Sequence, residues 1–480
     1  MPGRTLAVVG GGVSGLTAAR EAALNGLRVT VFEAGETSGG CLSGTTLGGR
    51  LPGGADDGAE ASLARRPETP ALLEELGLDT VHPSRAHGSR LVTESGPVAI
   101  PAGTLMGVPA DPEVLRGVLS DEGLARVRSE VLTPPVDGDV SCGDFLAARL
   151  GDELVDRVVD PLVGGVYAGR CRNLSLSATI PALVPAAQQG TSVLDTVAEV
   201  VAARTRTSGA DIPGAGGGGS TEAPPVFLSL SGGIHGLIDS LADALHDLGG
   251  EIRTGTPVRS VAAGGTVRTD AGEETFDHVL LAAPAWAAHA LLTPEAAADD
   301  ADALTASDPL ARLASLLGRI DYASSAVITA ILEDRERPLE GSGLLVPAPL
   351  GGLVKAATHS SNKWPWLAAA LPAGQRAVRM SVGRFRDERW SRLVDDEIIA
   401  GALAEWRALT EYDGELLHAE VKRWDRALPQ YTPGHADLVR EIDTAAAAVP
   451  GLSLTGSYLD GVGIPACIGR ARATVAALTS

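Results

Sequence analysis

Thr5-Leu6-Ala7-Val8-Val9-Gly10-Gly11-Gly12-Val13-Ser14-Gly15, completed by Arg28-Val29-Thr30-Val31-Phe32-Glu33, is the stretch from which the fold can be read. Thr5–Val9 is a short apolar run and predicts a buried strand. Residues 14–24 carry helical apolar spacing that stops at Gly26, and Arg28–Phe32 predicts a second strand. Together they make one βαβ unit. Gly10, Gly12 and Gly15 satisfy G-x-G-x-x-G. The first glycine permits the tight turn, the second lets a pyrophosphate approach the backbone, and the third lets the helix pack close to the strand. The helix N-terminus then points its positive end at the phosphates. Glu33 ends the second strand, where a carboxylate accepts both ribose hydroxyls and disfavours a 2′-phosphate. A glycine triplet alone is weak in a chain with 59 glycines. Strand, glycines, helix, strand and acid in one unit are a strong signal for dinucleotide binding.

Two further stretches distinguish FAD from NAD. Glu36-Thr37-Ser38-Gly39-Gly40-Cys41 follows the ribose acid directly, and its glycine pair lets the loop lie against a pyrophosphate. At the far end, Gly456 and Asp460-Gly461-Val462-Gly463-Ile464-Pro465 form a second glycine turn that opens a final helix, read over 468–478. A long dinucleotide contacted by both chain ends is the pattern of an FAD domain assembled from discontinuous segments.

Working outward, 480 residues of which 44% are hydrophobic can bury a large core and predict two or three lobes. The net charge of −21 argues against nucleic acid and against anionic lipid as partners. Only three lysines occur, Lys355, Lys363 and Lys422. Cys41, Cys142, Cys171 and Cys467 are far apart with no histidine at metal spacing, so neither a metal centre nor a disulfide scaffold is expected. No signal peptide and no run of membrane-spanning length is read, which points to the cytoplasm, with peripheral membrane association left open. Residues 111–200 alternate helical patterns with Pro-Pro and Gly-Gly breaks and predict a helical lobe. Residues 204–225, with Gly216-Gly217-Gly218-Gly219-Ser220, read as a flexible Gly-rich loop. The region 310–424 mixes strands (326–332, 377–382) with an acidic helix over 395–408.

The motifs along the chain resemble those of the FAD-dependent protoporphyrinogen and coproporphyrinogen oxidases of haem synthesis, within the amine-oxidase-like flavoproteins. The resemblance rests on Asp56-Asp57-Gly58-Ala59-Glu60 with Arg65-Arg66-Pro67, Gly164-Gly165-Val166-Tyr167-Ala168-Gly169 and Leu174-Ser175-Leu176. It continues in Leu230-Ser231-Gly232-Gly233, Ser360-Ser361-Asn362-Lys363-Trp364-Pro365, Leu428-Pro429-Gln430-Tyr431 and Gly461-Val462-Gly463-Ile464-Pro465. It is similar to the soluble Gram-positive branch, whose usual substrate is coproporphyrinogen III. Two departures stand out: Thr37 occupies a position where the family commonly has an arginine that touches phosphate, and the segment around Gly216 looks like an insertion.

The resemblance implies an α/β (α+β) multidomain chain. A Rossmann-like FAD domain would comprise 1–85, 225–290 and 430–480. A mixed-sheet substrate domain would comprise 86–110 and 291–429, with a helical lobe over 111–203. Gly10, Gly11, Gly12, Val13, Ser14, Gly15, Glu33 and Ala34 would hold the ADP half of FAD, with Gly40, Cys41, Gly58, Ala59 and Glu60 along the cofactor and the Val258 backbone at the adenine. Trp424, Val462, Gly463 and Ile464 would flank the flavin. Arg66, Tyr167 and Lys363 would meet the substrate, although Arg66 and Lys363 also read as surface residues and Tyr167 as a core tyrosine. His235 reads as a helix-start residue, and Asp395-Asp396-Glu397 as a solvated helix N-terminus. No metal, and no catalytic acid or base, is assigned.

The implied reaction removes six electrons from coproporphyrinogen III in three two-electron cycles, with dioxygen as acceptor and hydrogen peroxide as product. The downstream ferrochelatase is the implied partner. Open alternatives are protoporphyrinogen IX as substrate, an amine oxidase or desaturase, and a non-catalytic flavin or tetrapyrrole carrier. Because the implied substrate is a polycarboxylate, an acidic protein needs a local positive mouth. A few arginines with Lys355 and Lys363 are the expected source.

Overall fold

The computed structural model describes residues 3–51, 53–208, 225–293 and 308–480. The chain divides into two compact units. The first comprises Met1–Val81, Phe227–Asp321 and Ala436–Ser480; the second comprises His82–Val226 and Tyr322–His435.

The first unit is built on a five-stranded parallel sheet in the order Glu251–Arg253, Arg28–Phe32, Thr5–Val9, His278–Leu281, Leu452–Leu454. Thr5–Val9 lies at its centre and is buried from Leu6 onward, which explains why it is apolar without alternation. The strands come from three separated parts of the sequence, so the unit is discontinuous. The helices Val13–Leu24, Gly236–Asp247 and Ile464–Thr479 contribute Leu16, Leu237, Leu241 and Ile468 to one apolar core with Val8 and Val31. A small antiparallel sheet of Val258–Ala262, Thr266–Thr269 and Gly272–Thr275 completes the part of the unit relevant to the site.

The second unit carries a seven-stranded sheet in the order Leu416–Pro429, Tyr322–Glu333, Gln375–Val382, Val354–Thr358, Gly343–Leu345, Ser89–Thr93, Gly96–Ala99. All neighbours are antiparallel except Gly343–Leu345 with Ser89–Thr93, so the sheet is mixed. The helix Asp395–Thr410 covers one face with Ile398, Ala402, Leu403 and Trp406. Its first turn is more than a solvated acidic run: Glu397 accepts from the Val394 N–H at 3.1 Å, and Asp395 pairs with Arg423 at 2.8 Å. Helices from Asp121–Arg128 to Val193–Ser208 form the helical part. The last of these corrects the expected boundary at 203, because residues 204–208 hold no glycine or proline to stop a helix that is already propagating. The rest of the expected Gly-rich loop, 209–224, lies outside the described residues. Among the described residues no helix is long and apolar enough to cross a membrane.

Candidate active site

The first glycine turn is tied to the strand beside it. Gly10 N–H donates to Phe32 O at 2.8 Å, and Gly11 N–H donates to Glu33 Oε2 at 2.7 Å. Gly35 N–H reaches Glu33 Oε1, also at 2.7 Å. Each carboxylate oxygen therefore accepts one backbone hydrogen and keeps a further lone pair, the capacity that the two hydroxyls of a ribose require. A Cβ at residue 15 would stand 1.9 Å from Gly10 O, so any side chain there would drive the helix off the strand. A Cβ at residue 12 would meet nothing nearer than Gly39 O at 3.8 Å, which leaves a concavity above the turn. The helix Val13–Leu24 opens beside that concavity with no side-chain cap and no acidic residue in its first turn. Its orphan amides and positive end suit a diphosphate. These residues fit the ADP half of FAD.

The glycine pair lies directly on this loop. Gly39 N–H donates to Gly11 O at 2.9 Å, and Gly12 and Gly39 form a parallel bridge. Gly39 takes φ +137°, and a Cβ there would fall 2.5 Å from Leu42 O. The Gly58 segment is stitched alongside. Ala59 N–H donates to Cys41 O and Asp57 N–H to Ser43 O, each at 3.0 Å, and Gly44–Thr45 pairs with Ala55–Asp56. Thus Gly40, Cys41, Gly58, Ala59 and Glu60 occupy one continuous wall.

Asp56 is the residue whose role sequence reasoning missed. It is buried and accepts from the Ile234 and His235 amides at 3.1 and 3.0 Å, while His235 Nδ1 lies 2.8 Å from Asp56 Oδ1. That hydrogen bond, outweighing burial, raises the His235 pKa above its ordinary value. His235 does start the helix Gly236–Asp247, as its position after Gly232-Gly233 suggests. What the sequence could not show is that its partner stands 179 positions away. The sequence signal was that Asp56 opens one family motif and His235 stands two residues after another.

Beside the ribose acid, Glu33 N–H donates to Arg253 O at 2.9 Å, Gly255 N–H to Gly35 O at 2.8 Å and Thr256 N–H to Glu33 O at 2.9 Å. The chain then enters Val258–Ala262, so Val258 follows a segment fastened to Glu33 and Gly35. At the other end, Gly463 is the N-cap of Ile464–Thr479, again with no side-chain cap and no first-turn acid. The helix begins four residues before the expected 468, because Pro465 is well placed in a first turn rather than a barrier to one. It packs along Val13–Leu24 and puts Ile464 in one apolar core with Val13 and Leu16.

The remaining expected residues are distributed over both units. Trp424 belongs to the second unit, on Leu416–Pro429 opposite Ser325, with Lys422 Nζ 5.1 Å from its ring centroid. Arg66, in the first unit, is exposed and pairs with Glu68 at 2.5 Å. Tyr167 is a buried tyrosine of the second unit. Its hydroxyl donates to Ala178 O at 3.2 Å, its ring tilts against Tyr431 at 5.8 Å, and burial pushes its pKa up to about 12. Lys363 ends the helix Ser360–Lys363 with its ammonium 5.4 Å from the Trp364 ring.

The likeness to known proteins extends over the whole chain. The family model described as flavin containing amine oxidoreductase matches residues 13–479. A Mycobacterium leprae protein named coproporphyrinogen III oxidase is 34% identical, covering 100% of this chain and 99% of its own. A Bacillus subtilis protein of the same name is 28% identical, covering 98% and 96%. A crystal structure from Exiguobacterium sp. 255-15, provisionally named a protoporphyrinogen oxidase, superposes with a TM-score of 0.81 at 27% identity, covering 100% of this chain and 99% of that one. With a glycine cradle that fits FAD at its N-terminus, the chain belongs to the flavin-containing amine oxidoreductases, in the family of the FAD-dependent porphyrinogen oxidases.

Proposed function

We propose that this FAD-dependent oxidoreductase acts in haem biosynthesis and oxidises coproporphyrinogen III to coproporphyrin III. Six electrons and six hydrogens leave the substrate, three dioxygen molecules take them up, and three hydrogen peroxides form. The observation that carries the reading is the end-to-end 34% identity with a protein named coproporphyrinogen III oxidase.

FAD, when bound, supplies a two-electron acceptor for hydride from a saturated bridge carbon. The chain's own contribution is placement. Glu33 would hold the ribose, the first-turn amides of Val13–Leu24 and the Gly39-Gly40 pair would hold the diphosphate, and Val462, Gly463 and Ile464 would lie along the ring system. Arg66 of the first unit and Lys363 of the second are each proposed as a propionate contact, and Tyr167 of the second as a tetrapyrrole contact. Holding the porphyrinogen in reach and keeping water out lowers the barrier without a protein nucleophile. The reading includes the cytoplasm as the place of action and a ferrochelatase as consumer of the porphyrin.

The test is anaerobic mixing of the flavin-loaded protein with coproporphyrinogen III, followed by kcat/KM for coproporphyrinogen III and protoporphyrinogen IX from porphyrin fluorescence. Bleaching of the flavin band and a higher kcat/KM for coproporphyrinogen are expected. Absence of bleaching would sink the oxidase reading, and equal or better turnover of protoporphyrinogen would overturn the substrate choice.

A further inference from the structure

In the second unit, one of the three lysines stands in an arrangement that folded proteins ordinarily avoid. In the pairing of Val354–Thr358 with Gln375–Val382, Val354 lies opposite Val382 and Ala356 opposite Ser381, so Lys355 is the extra residue of a β-bulge. The bulge lets Val354 and Ala357 both serve the apolar core while Lys355 keeps company with Ala356 on the face of Ser381 and Arg379. A regular strand would have put one of these residues on the wrong face.

The bulge also sets Lys355 beside a second cation. Val346 N–H donates to Lys355 O at 3.0 Å, and Val346 O accepts from Arg384 Nη2 at 2.8 Å, so one residue fastens both. The Arg384 loop is held in turn by Phe385 N–H, which donates to Ala168 O at 2.7 Å just beyond the helix Asp160–Tyr167. Neither cation is neutralised locally. The carboxylates that act on Arg384 are Asp160 and Asp387, and both are engaged elsewhere. Asp160 pairs with Arg170 at 2.9 Å and accepts from Cys171 N–H at 2.7 Å, while Asp387 forks onto Arg389 at 2.8 Å through each oxygen. Among the described residues Lys355 has no ion-pair or side-chain hydrogen-bond partner. It is partly accessible yet deep among its neighbours. Burial, with the Arg384 charge added, pushes its ammonium down to about 7. Two like charges, partly desolvated and without a counter-ion, oppose folding. An anion supplied from outside would reverse that effect.

We propose that Lys355 and Arg384 form a carboxylate-recognition subsite that binds a propionate of the substrate. The inference rests on the porphyrinogen reading and extends it to residues that no motif singles out. An ammonium on the middle strand of the sheet and a guanidinium just beyond the end of the neighbouring strand offer a carboxylate both a point charge and a planar donor.

The test uses the flavin-loaded full chain and two probes, coproporphyrin III and its tetramethyl ester, titrated by fluorescence quenching. Lys355→Met is expected to weaken binding of the tetra-acid by about tenfold or more, to leave the ester within about twofold, and to be largely rescued by Lys355→Arg. Flavin content and far-UV circular dichroism of each variant check that the fold is retained. Tetra-acid binding by Lys355→Met within about twofold of wild type, or parallel weakening of acid and ester, overturns the subsite while leaving the porphyrinogen reading intact. Failure of the wild type to bind either porphyrin overturns that reading and the subsite with it.

Discussion

His359 gives the second unit a stability that depends on pH in a direction set by its hydrogen bonds. The side chain is fully buried. Trp406 Nε1–H donates to His359 Nε2 at 3.2 Å, so Nε2 must carry the lone pair, and Nδ1–H donates to Gly341 O at 3.1 Å. Protonation would place a hydrogen on Nε2 against the indole N–H and bury an unpaired charge. Burial accordingly pushes the pKa down from 6.5 to about 4, with Arg376 and Arg90 acting in the same direction. A pKa lowered in the folded state stabilises the fold above the unfolded value, and the benefit is lost as pH falls from about 6.5 toward 4. Between pH 7 and pH 5 the loss comes to about 2 kcal/mol, and it reaches about 3 kcal/mol below pH 4. His359→Gln keeps an acceptor for Trp406 and a donor for Gly341 but does not titrate. Urea denaturation of the full chain, followed by tryptophan fluorescence at pH 7, 6 and 5, should show a shallower pH dependence in the variant by about 2 kcal/mol over that interval. His278, also pushed down to about 4 by burial, is present in both proteins and drops out of the difference. Parallel pH curves for wild type and variant would refute the argument.

Three further outcomes are expected. Gly15→Ala places a methyl 1.9 Å from Gly10 O and should abolish flavin retention through purification, read as the ratio of flavin absorbance to protein absorbance; a variant that stays fully loaded would contradict the packing argument. Asp56→Asn should return the His235 pKa toward its ordinary value in an NMR titration and lower flavin affinity, since the carboxylate orients the turn that carries Ile234 and His235; an unmoved His235 titration would exclude Asp56 as the cause. Arg66→Ala should raise KM for the porphyrinogen more than it lowers kcat, the mark of a ground-state contact. An unchanged KM would leave Arg66 with only its pairing to Glu68.

Much of the cradle was legible because it is local. Gly10 to Gly15 and Glu33 act within one βαβ unit, where turn, helix and strand lie within a few residues of each other. The Gly39-Gly40 pair follows at once. Strand limits were less legible: residues 326–332 read as a strand, but the strand is Tyr322–Glu333, because Leu416–Pro429 pairs it back to Tyr322 and Gln375–Val382 pairs it on to Glu333. Tyr167 is held in the core by Ala178 and Tyr431, which are not its sequence neighbours, and Lys355, expected as a source of positive charge, gave no sign in the sequence of its bulge or of its neighbour Arg384.

The sequence by itself determined the βαβ opening, the ribose acid, the second glycine turn, and the demand that an acidic chain with a polycarboxylate substrate concentrate positive charge somewhere. Periodicity, glycine placement and net charge are properties of short windows or of the whole composition, so one dimension suffices for them. Only the tertiary structure decided that His278–Leu281 lies between the first strand and Leu452–Leu454, that Asp56 holds His235, and that a bulge brings Lys355 to Arg384 with both nearby carboxylates already engaged. Those are pairings between residues tens to hundreds of positions apart. They are set by strand register and by which charges remain after every other pair has formed, and neither is visible until the chain has closed on itself.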